Sequence, residues 1–166
     1  MPTGRFHAGL ALPMLTMLAG CGPHRAPPPT MSVGTLPVSG TIADAKRAGF
    51  TSCSGDPVSL RCRRAGVMLA GQGPYQAAVD LVGHDGSGGF DQLILWHDTN
   101  QAAVQEAGDA LELAGWQVCL TGEGARGDQE IYVHAHARIR VAIDISYWGK
   151  RRLRLIPEWH PRKPRC

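Results

Sequence analysis

One short pattern, used twice, constrains the fold of this chain more than any other feature. Ala45-Lys46-Arg47-Ala48-Gly49-Phe50-Thr51-Ser52-Cys53 parallels Leu111-Glu112-Leu113-Ala114-Gly115-Trp116-Gln117-Val118-Cys119. Each segment is the end of a helical pattern, then Ala-Gly-aromatic, then a cysteine three residues on. Glycine suits the first residue past a helix because it tolerates the left-handed conformation needed there. Strand-like stretches follow each segment, with no further helix between them. The chain is therefore expected to be an α+β fold: a tandem repeat of helix plus about four strands, building one mainly antiparallel sheet. A helix on an antiparallel sheet leaves the other face open. Both helices are expected on one face, in a domain over 39–159 with halves 39–97 and 98–159.

The elements follow from local chemistry. Thr41 can cap a short helix, and Asp44 suits the positive end of its dipole. Ile42 and Ala45 give that helix a narrow apolar face. Strands are predicted over 50–53, 60–64, 75–82 and 90–97, with the glycine-rich Gly83–Gly89 as a loop containing Asp85-Gly86. A longer helix is predicted over 99–114, capped by Asp98 or Thr99. Val104, Ala107, Leu111 and Ala114 recur at helical spacing, with Gln105, Asp109 and Glu112 facing away. Gly108 falls on the apolar stripe, which implies close approach to the sheet or to another helix. Strands are then predicted over 116–121, 130–137, 138–148 and 152–156. The clearest alternation puts Ile139, Val141, Ile143, Ile145 and Tyr147 on one face and Arg138, Arg140, Asp144 and Ser146 on the other.

Ahead of the domain, an apolar run begins near Ala8, after the single basic Arg5, and ends at Leu18-Ala19-Gly20-Cys21. It is too short for a bilayer-spanning helix, which needs about 20 apolar residues. It fits the apolar region of a secretory signal peptide. Leu18-Ala19-Gly20-Cys21 resembles the lipobox of bacterial lipoproteins. That resemblance implies removal of residues 1–20 and lipidation of Cys21, so that acyl chains hold the protein on a membrane. In lipoproteins an Asp directly after the cysteine favours inner-membrane retention; with Gly22 there, the resemblance implies the outer membrane, facing the periplasm, if the cell envelope is Gram-negative. Residues 21–38, with Pro27-Pro28-Pro29, read as an extended linker. Residues 160–166 read as a basic tail.

The chain carries a formal net charge of +3, unevenly spread. Acidic residues dominate from Asp80 to Glu130. Beyond Arg138 the cations dominate, with only Asp144 and Glu158 against them. Such a surface attracts anionic partners, or else caps a sheet edge against aggregation. An exported protein rarely meets nucleic acid, so no nucleic-acid partner is expected. An oxidising compartment favours disulfides among the cysteines beyond Cys21. The Ser54-Gly55-Asp56-Pro57 turn predicts Cys53 and Cys62 on neighbouring strands, joined to each other. Cys119 then pairs with Cys166 or stays a buried thiol. No CxxC pair supports a zinc site.

The helix-plus-strands repeat resembles the periplasmic β-lactamase-inhibitor proteins, which pair two helix-plus-four-strand units and bind with the open sheet face. It resembles, more distantly, the small lipoproteins of the outer-membrane barrel-assembly machinery. The resemblance is topological and covers about Ser39 to Trp159. It implies a binding protein and transfers no binding residue.

Strand alternation predicts Tyr132, His134 and His136 on the face away from the core, shared with Arg138, Arg140, Trp148, Arg152 and Arg154. Aromatic and Arg side chains there suit binding to a protein or to an anionic envelope polymer. As an alternative, His134 and His136 could ligate a metal or contact a small molecule, with His84, His97 or Asp144 as a third ligand. An enzyme is not expected. His84, Asp85 and Ser87 lie in one glycine-rich loop, whereas triad members converge from separate elements. The carboxylates expected to be partly buried, Asp98 and Asp144, read as a cap and an ion-pair partner. No cofactor is expected.

Overall fold

Thr41 begins the first helix as its chemistry suggests. Its hydroxyl accepts a hydrogen bond from the Asp44 N–H, and Asp44 Oδ2 accepts one from the Thr41 N–H at 2.7 Å, completing a capping box. Helix α1 spans Ile42–Arg47, and Gly49 follows with φ +87°. Helix α2 spans Ala102–Leu113 and ends at Gly115, φ +89°. Neither Asp98 nor Thr99 caps it. The turn before α2 is held instead by His97 Nδ1, which accepts from the Thr99 and Asn100 N–H groups, and by Asn100 Oδ1, which accepts from Ala102.

The computed structural model describes Met1, residues 31–146 and residues 150–159. Cys21, Trp148 and Cys166 lie outside the described residues. Among the described residues ten strands form two antiparallel sheets: β1 Ser32–Val33, β2 Leu36–Pro37, β3 Ser52–Gly55, β4 Ser59–Leu69, β5 Gln72–Val82, β6 Phe90–Trp96, β7 Gln117–Leu120, β8 Gln129–Val133, β9 Ile139–Asp144 and β10 Leu153–Pro157. Strands β1 and β2 form a small hairpin. The other eight form one sheet in the order β3-β4-β5-β6-β10-β9-β8-β7. The α+β class and the mainly antiparallel sheet thus match the expectation. Every pairing joins strands adjacent in the chain, except for β6 with β10, where Leu95 lies opposite Leu153 and Leu93 opposite Leu155.

Alternation divides the sheet into two faces. Val79, Leu93, Leu155, Val141 and Tyr132 are successive cross-strand neighbours, and all belong to one buried cluster with Ala45 of α1 and Val104, Ala107 and Leu111 of α2. Both helices cover this face. Tyr75 Oη donates to the Ala103 carbonyl at 2.6 Å, and Arg64 Nη1 donates to the Ala48 carbonyl at 2.6 Å, tying each helix to the sheet. Gly108 lets α2 approach the sheet closely: a Cβ there would clash with Tyr132 Oη. Cys53 and Cys62 are paired across β3 and β4 and form a disulfide. Cys119 is disulfide-bonded as well.

The end of the stretch read as linker is part of this core. Met31, Leu36 and Val38 are buried, and the Val38 N–H donates to the Met31 carbonyl at 2.8 Å, closing the β1–β2 hairpin against the sheet. Gly34, φ +57°, makes the hairpin turn.

Candidate binding face

The uncovered face is built from the other half of each alternation. Arg61 and Arg63 project from β4, Ala78 and Asp80 from β5, Gln92, Ile94 and Trp96 from β6, Arg152 and Arg154 at β10, and Arg140 and Asp144 from β9. Of the expected binding residues, Arg140, Arg152 and Arg154 share this face. Arg138 sits at its rim, donating to the Trp159 carbonyl at 2.7 Å.

Three expected positions differ. Tyr132 lies on the helix-covered face, 2 % exposed, with its hydroxyl donating to Glu130 Oε2 at 2.8 Å. Its cross-strand partner is Val141, and partners across an antiparallel ladder share a face. Burial, with the Glu130 carboxylate beside it, raises the Tyr132 hydroxyl far above the ordinary phenol range. His134 and His136 are not alternate residues of a strand. Strand β8 ends at Val133, and the Ala137 N–H donates to the His134 carbonyl at 3.0 Å in a tight turn. His134 stacks at a tilt on Trp116, centroids 5.6 Å apart, with His136 edge-on to it at 5.8 Å. His134 Nδ1 accepts from the His136 N–H. Two of the three candidate third ligands are engaged elsewhere: His97 in the turn before α2, and Asp144 with the Ser146 N–H at 3.0 Å. Among the described residues no group of three or more His, Cys, Asp or Glu side chains is placed to hold a metal.

Sequence reading missed the contribution of the first half. A cleft of about 200 Å³ opens on the uncovered face, lined by Arg61, Arg63, Ala78, Ile94, Trp96, Lys150 and Arg152. Its frame is rigid. Asp80, nearly buried, accepts two bonds from Arg61, Nε at 2.6 Å and Nη2 at 2.8 Å, and a third from Gln92 Nε2 at 3.0 Å. This two-pronged geometry fixes the guanidinium in direction as well as distance. Asp98 accepts from Lys150 Nζ at 2.9 Å and from Trp96 Nε1 at 3.2 Å, orienting both at the cleft wall. The Lys150 bond, foremost, lowers the Asp98 carboxyl below the usual range. Gln101, at the start of α2, accepts from the Arg151 N–H at 2.6 Å and anchors the segment that carries Arg152. Alternation along Leu60-Arg61-Cys62-Arg63 was the available signal: the two arginines had to face away from the core side that takes Leu60 and Cys62.

Compared with protein-family models, with curated proteins and with solved structures, the chain matches none of them.

Proposed function

We propose that this protein is a lipid-anchored, non-enzymatic binding protein of the bacterial cell envelope. On this reading Cys21 carries the lipid, the chain faces the periplasm from the outer membrane, and the uncovered sheet face takes an envelope protein or an anionic envelope component. The two helix-and-four-strand halves are read as a tandem repeat that doubles the width of the binding face. The order of elements supports this reading, since each helix precedes four strands that follow one another in the sheet.

One observation carries the binding reading: the concentration of cations on the uncovered face. Arg61, Arg63, Arg140, Arg152, Arg154 and Lys150 stand there beside Trp96, against Asp80, Asp144 and the neighbouring Asp98 and Glu158. Arg and Trp are the residues that most often carry binding energy in interfaces. The lipid and the linker would confine the face to a shell near the membrane and raise its effective concentration for membrane-bound partners.

Site-specific photo-crosslinking in the native cell tests this. Probes at Arg140 and Arg154 should give a discrete adduct that a probe at Glu106, on the exposed side of α2, does not. The adduct should also fade when Arg61 and Arg63 are changed to Ala. Equal labelling from the face and from Glu106, or none, would rule the face out as the binding surface.

A further inference from the structure

We infer that the cleft between Arg63 and Arg152 is a site for a phosphate monoester, carried on a small flat or apolar body. The inference deepens the uncovered-face reading and rests on it for the direction from which the ligand approaches.

Charge bookkeeping within the cleft makes the case. Four cations line it. Two are already compensated, Arg61 by Asp80 and Lys150 by Asp98. Arg63 and Arg152 are both exposed, and among the described residues neither has a carboxylate within ion-pairing distance. Among the described residues the Arg63 guanidinium reaches the Ser54 hydroxyl, at 3.5 Å. Asp144 is adjacent to Arg152 in the ladder, where the Asp144 N–H donates to the Arg152 carbonyl, yet its carboxylate turns to the Ser146 N–H. Two uncompensated cations therefore converge on one small space. A monocarboxylate or a phosphodiester brings a single charge and leaves one of them unmatched. A phosphate monoester brings nearly two near neutral pH and offers three acceptor oxygens.

Shape agrees with charge. Arg63 and Arg152 reach in from β4 and from the start of β10, strands separated by β5 and β6. Three strand spacings and an offset of two residues along the strands put their backbones about 16 Å apart, so the pair grips a group lying between them rather than on either one. Guanidinium forks match phosphate oxygens in a plane, which lysine does not do. The floor is apolar, with Ala78 and Ile94 both buried. Trp96 forms a wall whose N–H is already bound to Asp98, so its ring offers a face rather than a donor. The volume of about 200 Å³ admits a phosphate and one ring or short chain, not a folded segment.

Titration calorimetry on the full-length chain at low salt tests the site, with phenyl phosphate, inorganic phosphate and benzoate as probes. Phenyl phosphate should bind at least about tenfold tighter than benzoate. Arg63→Ala and Arg152→Ala should each weaken phenyl phosphate about tenfold or more, the scale of one charge-assisted contact. Both positions are exposed, so the melting temperature should hold and separate lost binding from lost folding. Trp96→Leu should reduce phenyl phosphate to the affinity of inorganic phosphate. Dihexanoylphosphatidic acid, below its micellar concentration, identifies the source. Binding tighter than phenyl phosphate assigns a lipid headgroup, and binding no tighter assigns a free phosphorylated molecule; both support the site. Benzoate equal to phenyl phosphate would overturn the phosphate assignment in favour of a carboxylate, such as an acidic side chain of a protein partner. Unchanged affinity in both Arg variants would overturn the site altogether. Face-specific crosslinks that persist through either failure would leave the broader binding reading standing.

Discussion

Leu153 and Leu155 alternate with Arg152 and Arg154 along a few residues of one chain segment, yet the two pairs belong to different physical regimes. The leucines are essentially fully buried between sheet and helices, where each neighbour is fixed by packing. The arginines stand on the uncovered side, where Arg152 is exposed and Arg154 half-buried. Such a contrast teaches that the sheet separates two tasks by alternation alone. One side specifies the fold and tolerates little change. Its reverse can vary in charge and shape at small cost, and so is free to carry recognition.

The sharpest way to break this contrast is to truncate one residue on each side. Leu155→Ala should destabilise the protein by about 2–5 kcal/mol, the usual cost of a buried cavity. Arg152→Ala should stay within about 0.5 kcal/mol. Chemical denaturation of both variants checks the pair, and equal effects would mean the uncovered face is packed by something more than water.

Gly108→Ala tests how tightly the covered side is built. The added methyl meets Tyr132 Oη and the end of Ile143, so the variant should lose about 1–3 kcal/mol, although alanine is the better helix former. A gain in thermal stability would show that α2 can lift from the sheet without cost.

Tyr75 sharpens the same contrast through pH. Burial pushes its hydroxyl up to about 12, above the ordinary 10.0. A raised value means the folded protein holds the proton more firmly than the unfolded chain. Stability from this group is therefore complete below pH ~10 and is lost as pH rises toward ~12. Tyr132 shifts in the same direction and adds to the loss. Denaturation midpoints measured across that window should fall by an amount worth on the order of 2 kcal/mol, and less steeply in Tyr75→Phe.

Among the destabilising changes, a smaller one is expected at the cap of α1. Thr41→Ala removes the acceptor for the Asp44 N–H and should cost about 1 kcal/mol. Asp44 is lowered chiefly by its bond from the Thr41 N–H. Its contribution is thus present above the ordinary carboxylate range and lost as pH falls below it. Thermal melts between pH 2 and 6 should show the acid slope flattened in Asp44→Asn.

What could be read from the sequence was whatever depends on one segment at a time. The Ile139-Val141-Ile143 stripe, the Thr41–Asp44 cap, the close approach at Gly108 and the proximity of Cys53 to Cys62 are all of this kind. Readings that depend on register went astray. Tyr132 is buried because it faces Val141, and nothing within 130–137 announces that partner. A chain turn at His134, three residues before Ala137, likewise gives no period to detect. Composition misled at 31–38, where Ser, Gly and Pro suggested a tether while Met31, Leu36 and Val38 close onto the core. The cleft was hidden for a third reason. Its cations come from Arg61 and Arg63 in one half and Lys150 and Arg152 in the other, and only the pairing of β6 with β10 brings them together.

That single pairing also sets the order in which the molecule can be completed. Every other ladder joins neighbours in the chain and can zip locally as a hairpin, whereas Leu95 must wait for Leu153. Ring closure over so long a stretch is entropically slow compared with hairpin formation. Until it occurs, Phe90–Trp96 is an exposed edge with Leu93, Ile94 and Leu95 in a row, the kind of strand that recruits another chain. Folding of this protein is a race between its own last strand and a stranger's.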